Sequence, residues 1–228
     1  MAAASDLNMG HEIALDTPSG RVCAWRADPV AQPAGGLVVI QEIFGVNEHV
    51  RSLVERYCAE GWVALAPELF DPIEHSVELA YDEAGVAKGR ALAAELGFDR
   101  AVGIVGAAAA KLREDGLKVG AVGFCWGGTV AMLANTRLGL PAVSYYGGRS
   151  VQFLGEPLRA PMQFHFGEHD PIIPPADVDK HRAAYPDAPM HVYPAGHGFH
   201  CEQRADYHED AARVAHRRTL EFLAGALA

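Results

Sequence analysis

The residue best suited to chemistry lies in Lys118-Val-Gly-Ala-Val-Gly-Phe-Cys-Trp-Gly-Gly-Thr-Val-Ala-Met132. An apolar strand pattern runs into Gly123-Phe124-Cys125-Trp126-Gly127-Gly128, and a helical pattern follows at once. A nucleophile with glycine two residues to either side, between strand and helix, marks a sharp turn that lifts the reactive atom above a sheet. Cysteine stands here where serine is commoner. The glycines have a steric reason, since Cβ atoms at those positions collide in so tight a bend. The sulfur then stands at a helix N-terminus, where free amide N–H groups and the helix dipole favour negative charge. A structural cysteine in a glycine-rich turn is the bland alternative; the strand before and the helix after favour a nucleophile.

A thiol nucleophile needs a base, and the base needs an orienting group. In the α/β-hydrolase order, nucleophile precedes acid and acid precedes histidine. The apolar run Met162-Gln-Phe-His-Phe166 ends in Gly167-Glu168-His169-Asp170-Pro171, which places Asp170 in a loop after a strand. The next run ends in Pro194-Ala-Gly-His197-Gly-Phe199, so His197 also follows a strand. Glu168 competes with Asp170 for the acid role. With 11 histidines in the chain, a lone histidine carries little weight. His165, inside an apolar run, reads as a satisfied core residue, whereas His169 and His200 adjoin the two loops. Neither an HExxH motif nor a Cys/His cluster supports a metal, and no cofactor is expected.

These loops must be positioned by a sheet. His11–Trp25 alternates and turns at Pro18-Ser19-Gly20, a hairpin. Gly36–Ile40, Trp62–Ala66, Lys118–Val122, Ala142–Tyr146, Met162–Phe166 and His191–Tyr193 read as strands, several of them continuously apolar. Helical patterns cover roughly 47–60, 76–114 with an interruption near Gly97, and 204–224. The alternation predicts an α/β fold: a mostly parallel central sheet, helices on both faces, an N-terminal hairpin, and one domain over 1–228. Catalytic groups are expected beyond the carboxyl ends of the strands.

Composition narrows the function class. Half of the 228 residues are apolar and the net charge is −10, with no basic stripe for nucleic acid. The longest apolar stretch, Ala101–Ala110, is too short to span a bilayer. Met1–Asn8 has neither a basic start nor a long apolar run, so a cytoplasmic location is the expectation. The four scattered cysteines predict free thiols.

Gln41-Glu-Ile-Phe-Gly-Val-Asn47 after the first buried strand, with the GFCWGG, HFGEHDPIIP and GHGF segments, resembles the dienelactone hydrolase family over essentially the whole chain. The resemblance implies hydrolysis of a small lactone or carboxylic ester through a thioester on Cys125, with His197 moving protons and Asp170 holding its ring. It implies that Glu42 interacts with the resting cysteine and promotes thiolate formation, and that the backbone N–H groups of Ile43 and Trp126 form the oxyanion hole. Family members grip a substrate carboxylate with two arginines. Lys88 or Arg90 could match the first, but the second position is Cys201. Arg204 reads as a solvated residue at a helix start, although it could reach in. Trp126, Phe44, Tyr145 and Phe199 are candidates for an apolar pocket, or equally for core packing; Glu42 could instead be an exposed carboxylate capping the helix near Asn47. A monomer or small homo-oligomer is expected. A non-catalytic lactone-binding relative and a thiol redox protein, with Cys201 as resolving thiol, are the alternatives.

Overall fold

The computed structural model describes residues 10–228; the Met1–Asn8 segment lies outside them. Strands β1 (His11–Thr17) and β2 (Gly20–Ala27) form the expected hairpin around Pro18-Ser19. They are followed by β3 (Gly35–Ile40), β4 (Trp62–Pro67), β5 (Val119–Phe124), β6 (Ala142–Tyr145), β7 (Met162–Gly167) and β8 (Met190–Tyr193). The sheet order is β1-β2-β4-β3-β5-β6-β7-β8. β1–β2 and β2–β4 are antiparallel and every later pair is parallel. All residues of β3, β4, β5, β6 and β7 are buried, as their uninterrupted apolar runs require for strands covered on both sides. Each Val or Leu so buried contributes about 1.5–3 kcal/mol of transfer free energy.

The helices are α1 (Glu48–Ala59), α2 (Glu83–Glu114), α3 (Trp126–Leu138), α4 (Pro175–Ala184) and α5 (Glu209–Ala226). Adjacent residues of β5 show that they cover opposite faces. A Cβ built on Gly36, which pairs with Val119, would meet Leu112 of α2, whereas one built on Gly120 would meet Leu223 of α5. Neighbouring residues of a strand point to opposite faces, so α2 and α5 flank the sheet from different sides. Tyr57 of α1 packs on His216 of α5, with ring centroids 5.1 Å apart, which places α1 with α5.

Two expected helix starts are corrected. The helical pattern read from 76 begins only at Glu83, capped by the Asp82 side chain, which accepts from Gly85 N at 2.7 Å. Upstream, the Asp71 carboxylate accepts from Cys23 N and Ser76 N, and Leu79 N donates to Phe44 O. Those bonds commit the backbone to a strap across the β3–α1 loop instead of a helix. The kink at Gly97 is as expected, with φ 71°. The last helix starts at Glu209, not 204, because His208 N is taken by Phe199 O and the His208 ring caps Ala211 N.

Candidate active site

β5 ends at Phe124 and α3 starts at Trp126, leaving Cys125 alone to make the bend at φ 54°. Such a φ is rare for a residue with a side chain and persists only where the surroundings over-determine it. They do so here. Cys125 N donates to Tyr145 O at 3.0 Å, and Gly128 N to Cys125 O at 2.9 Å. A Cβ on Gly123 would lie 1.9 Å from Gly127 O, and one on Gly127 would lie 2.2 Å from Gln41 O. Without glycine at both positions the helix could not approach the sheet. Trp126 N, in the first turn of α3, is among the donors an α-helix cannot satisfy internally.

The three residues read from separate motifs converge. His197 Nε2 lies 3.1 Å from Cys125 Sγ, and His197 Nδ1 lies 2.7 Å from Asp170 Oδ2. The other oxygen, Asp170 Oδ1, accepts from Ile172 N at 2.7 Å and Ile173 N at 3.2 Å. The carboxylate is thereby locked with one oxygen free for the imidazole. His197 and Asp170 are buried and Cys125 is half-buried. Burial alone would lower the His197 pKa, but the Cys125 charge and the Asp170 hydrogen bond outweigh it and raise it to about 10. Glu168, the competing acid, is exposed, as is His169.

Glu42 is placed differently from the expectation. It is buried, and its Oε1 meets Arg204 Nη1 at 3.2 Å, not the Cys125 sulfur; Oε2 has no hydrogen-bond partner. Nor does Glu42 cap α1, since the Asn47 side chain accepts from Val50 N. Arg204 is therefore corrected as well. It sits in the turns before α5, with its guanidinium 5.9 Å over the Phe44 ring, and only a glycine at 198 leaves room for it: a Cβ there would lie 2.6 Å from Arg204 Nε. Burial works against the Arg204 charge, but Glu42 more than compensates and raises its pKa.

A cavity of about 480 Å³ opens over Cys125 and His197. Ile43 and Trp126, the expected oxyanion donors, line it, as do Phe44, Phe98 and Ile172. So do three arginines: Arg90, Arg149 and Arg204. Of the two candidates for the first carboxylate-binding position, Arg90 faces the cavity. Lys88 lies outside it, drawn to Glu74 at 2.6 Å. Tyr145 and Phe199 are also corrected: both are wholly buried and neither lines the cavity, and Tyr145 Oη is 2.6 Å from Thr219 Oγ1 of α5. The sequence reading missed Arg149 and Ile172. Arg149 follows Gly147-Gly148 in the loop beyond β6, a post-strand position like those of Asp170 and His197, and that signal could have found it.

His165 is the satisfied core residue expected, bonded to Tyr193, Gln163 and Thr219. His200 is buried with both ring nitrogens unpartnered. All four cysteines are free thiols. Among the described residues no group of three or more His, Cys, Asp or Glu side chains is placed to hold a metal ion, and no helix is long and apolar enough to cross a membrane.

A mostly parallel sheet flanked by helices on both faces, with a strained strand-to-helix turn facing an Asp-supported imidazole, defines the α/β-hydrolase class. Within it, the chain belongs to the dienelactone hydrolase family, whose model matches residues 22–227. Proteins provisionally named carboxymethylenebutenolidase are similar to it. The one from Synechocystis sp. is 32% identical over 227 residues, covering 88% of this chain and 90% of that protein. The one from Azospirillum brasilense is 33% identical over 223 residues, covering 89% and 93%. The crystal structure of a provisionally assigned dienelactone hydrolase from Klebsiella pneumoniae superposes with a TM-score of 0.84 at 27% identity, over 94% of this chain and 98% of that one.

Proposed function

We propose that this member of a family of ester and lactone hydrolases acts through a Cys125–His197–Asp170 triad and a thioester intermediate. The observation that carries this reading is the single imidazole bridging Sγ at 3.1 Å and a buried carboxylate at 2.7 Å. Asp170 holds Nδ1–H, so Nε2 is the nitrogen that accepts the thiol proton. The sulfur attacks the acyl carbon, and the carbonyl oxygen takes up negative charge beside the Ile43 and Trp126 amides. The C–O bond then breaks, the His197 proton passes to the departing oxygen, and a thioester remains. Water gives a proton back to His197 as its oxygen attacks the thioester; the carboxylic acid leaves and the thiol is restored.

The redox alternative is disfavoured because Cys201 is fully buried, and burial with the Glu42 charge pushes its thiol up to about 11. Such a sulfur is a poor resolving thiol. The test is hydrolysis of p-nitrophenyl acetate by Cys125→Ala, together with mass spectrometry of acid-quenched wild type during turnover. Loss of activity and an acyl adduct on Cys125 support the reading; full activity in the variant overturns it.

A further inference from the structure

We propose that the cavity over Cys125 holds an apolar acyl chain of several carbons against the inner face of α2, and that Ala94 limits its length. The proposal rests on the hydrolase reading above and adds the substrate class: esters or lactones whose acyl part is apolar and longer than acetyl. Its starting point is a stripe of small residues. Val86, Arg90, Ala93, Ala94 and Gly97 all line the cavity, and they recur at the spacing of one helix face. Toward the kink, Ala93, Ala94 and Gly97 carry a methyl group or no side chain at all.

The space beside them is open. A Cβ added at Gly97 would meet no atom within 4 Å. The loop after β6 has no such room, since a Cβ on Gly148 would lie 3.0 Å from Ile172 Cγ2. The end of the stripe is walled by fixed rings. Phe98, directly after the kink, stacks on Trp126 with centroids 5.8 Å apart and planes 27° apart. Trp126 stacks in turn on Phe70 at 5.8 Å, and Phe98 meets Phe153 edge-on at 5.2 Å. Rings already held by their neighbours need little further ordering when a ligand arrives, so apolar contact with them is not offset by lost side-chain freedom.

Topology decides which part of the ester reaches this wall. Asp170 follows β7 and His197 follows β8, both to one side of β5 in the sheet, whereas Ile43 follows β3 on the other side. α2 packs on β3, β4 and β5 and lies against Ile43, for a Cβ on Gly89 would be 2.1 Å from Ile43 O. At the tetrahedral carbon, three bonds are directed by the site: sulfur to Cys125, the oxyanion to the Ile43 and Trp126 amides, and the departing oxygen to His197. The fourth bond carries the acyl chain and points away from His197, toward the side of the sheet where α2 lies. Each methylene that leaves water there raises kcat/KM roughly fourfold until the room is used.

The experiment compares p-nitrophenyl acetate, butyrate and hexanoate on wild type and on Ala94→Leu, with Ala91→Leu as the control. Ala94 is exposed to the cavity, so a larger side chain there displaces no packed neighbour. Ala91 is exposed on the same helix and takes no part in the cavity wall. Wild type should cleave the butyrate with a kcat/KM on the order of tenfold above that for the acetate. Ala94→Leu should lower kcat/KM for the hexanoate by about tenfold and for the acetate by less than about twofold, while Ala91→Leu changes neither. Phenyl acetate and 4-butylphenyl acetate lengthen the leaving group instead, and Ala94→Leu should leave their ratio unchanged. A wild type that prefers the acetate, an equal effect of Ala94→Leu on acetate and hexanoate, or an effect on the 4-butylphenyl ester as large as on the hexanoate overturns the proposal and leaves the hydrolase reading intact. Failure of wild type to cleave any of these esters overturns both.

Discussion

The buried Glu42 and the half-buried Arg204 form an ion pair across 162 residues of chain, with Nη1 3.2 Å from Oε1. The pair joins the β3–α1 loop to the turns before α5. Removing one partner of such a pair leaves an uncompensated charge in a low-dielectric setting, at about 3–5 kcal/mol. Because Arg204 keeps some solvent contact, the lower figure applies. Arg204→Met should lower the melting temperature by roughly 6–12 °C. Glu42→Gln combined with Arg204→Met should recover part of that loss in calorimetry, and a double variant as unstable as the sum of the two singles would count against the pairing.

Asp170 acts through His197. Asp170→Asn preserves shape but removes the charge that stabilises the imidazolium and selects its tautomer, so kcat should fall by about 10³–10⁴ while the fold melts as before. The His197 pKa, held up at about 10 by the Cys125 charge and then Asp170 against the effect of burial, should move down. Titration of the His197 ring by NMR in wild type and variant checks this, and an unshifted midpoint would contradict it.

Glycine is required at the bend but not everywhere. A Cβ on Gly127 would lie 2.2 Å from Gln41 O and 2.6 Å from Ile40 O, both backbone atoms that cannot step aside. Gly127→Ala should abolish soluble, folded protein. A Cβ on Gly225, within α5, meets nothing within 4 Å. Gly225→Ala should therefore stabilise the fold by about 0.5–1 kcal/mol, read from urea melts.

Acid stability should depend on a group of inward histidines. His49 and His200 are buried and His216 is half-buried, and the ring nitrogens of all three lack hydrogen bonds, although His49 Nδ1 lies 3.8 Å from a Glu202 carboxylate oxygen. Burial is the leading cause holding each below the ordinary histidine pKa, with His216 at about 4. Carboxylates of Glu42 and Glu202 oppose this at His49, whereas Arg56 reinforces it at all three. The sign follows from proton counting. Above about pH 6.5 neither state binds the proton, so nothing is lost. Below there the unfolded chain binds protons that the folded imidazoles refuse, for His216 down to about 4, and stability falls by up to roughly 1.4 kcal/mol per pH unit for each histidine held neutral. His200→Phe, whose ring can pack against Phe124 and Tyr145 as the imidazole does, should flatten the loss of stability between pH 7 and 5 in urea melts. An unchanged slope would sink this account.

The sheet, the elbow and the members of the candidate triad were legible in the residues because each is a local signal. A continuous apolar run marks a two-sided strand, glycines at fixed offsets mark a steric bend, and Asp170 and His197 each follow a strand. Chain order and the rule that parallel strands present their carboxyl ends together then bring Cys125, Asp170 and His197 to one place. What stayed hidden depends on pairings between distant segments. No spacing announces that Arg204 turns inward to Glu42, that Lys88 is drawn away by Glu74, or that Tyr145 and Phe199 are wholly buried. Arg149 carries the post-strand signal, but only the fold shows that its loop lines the same cavity as Cys125. Periodicity determines which way a segment's apolar face must turn. The partner of each charge is decided only when the chain closes, since electrostatic pairing depends on separation in space and not on separation along the sequence.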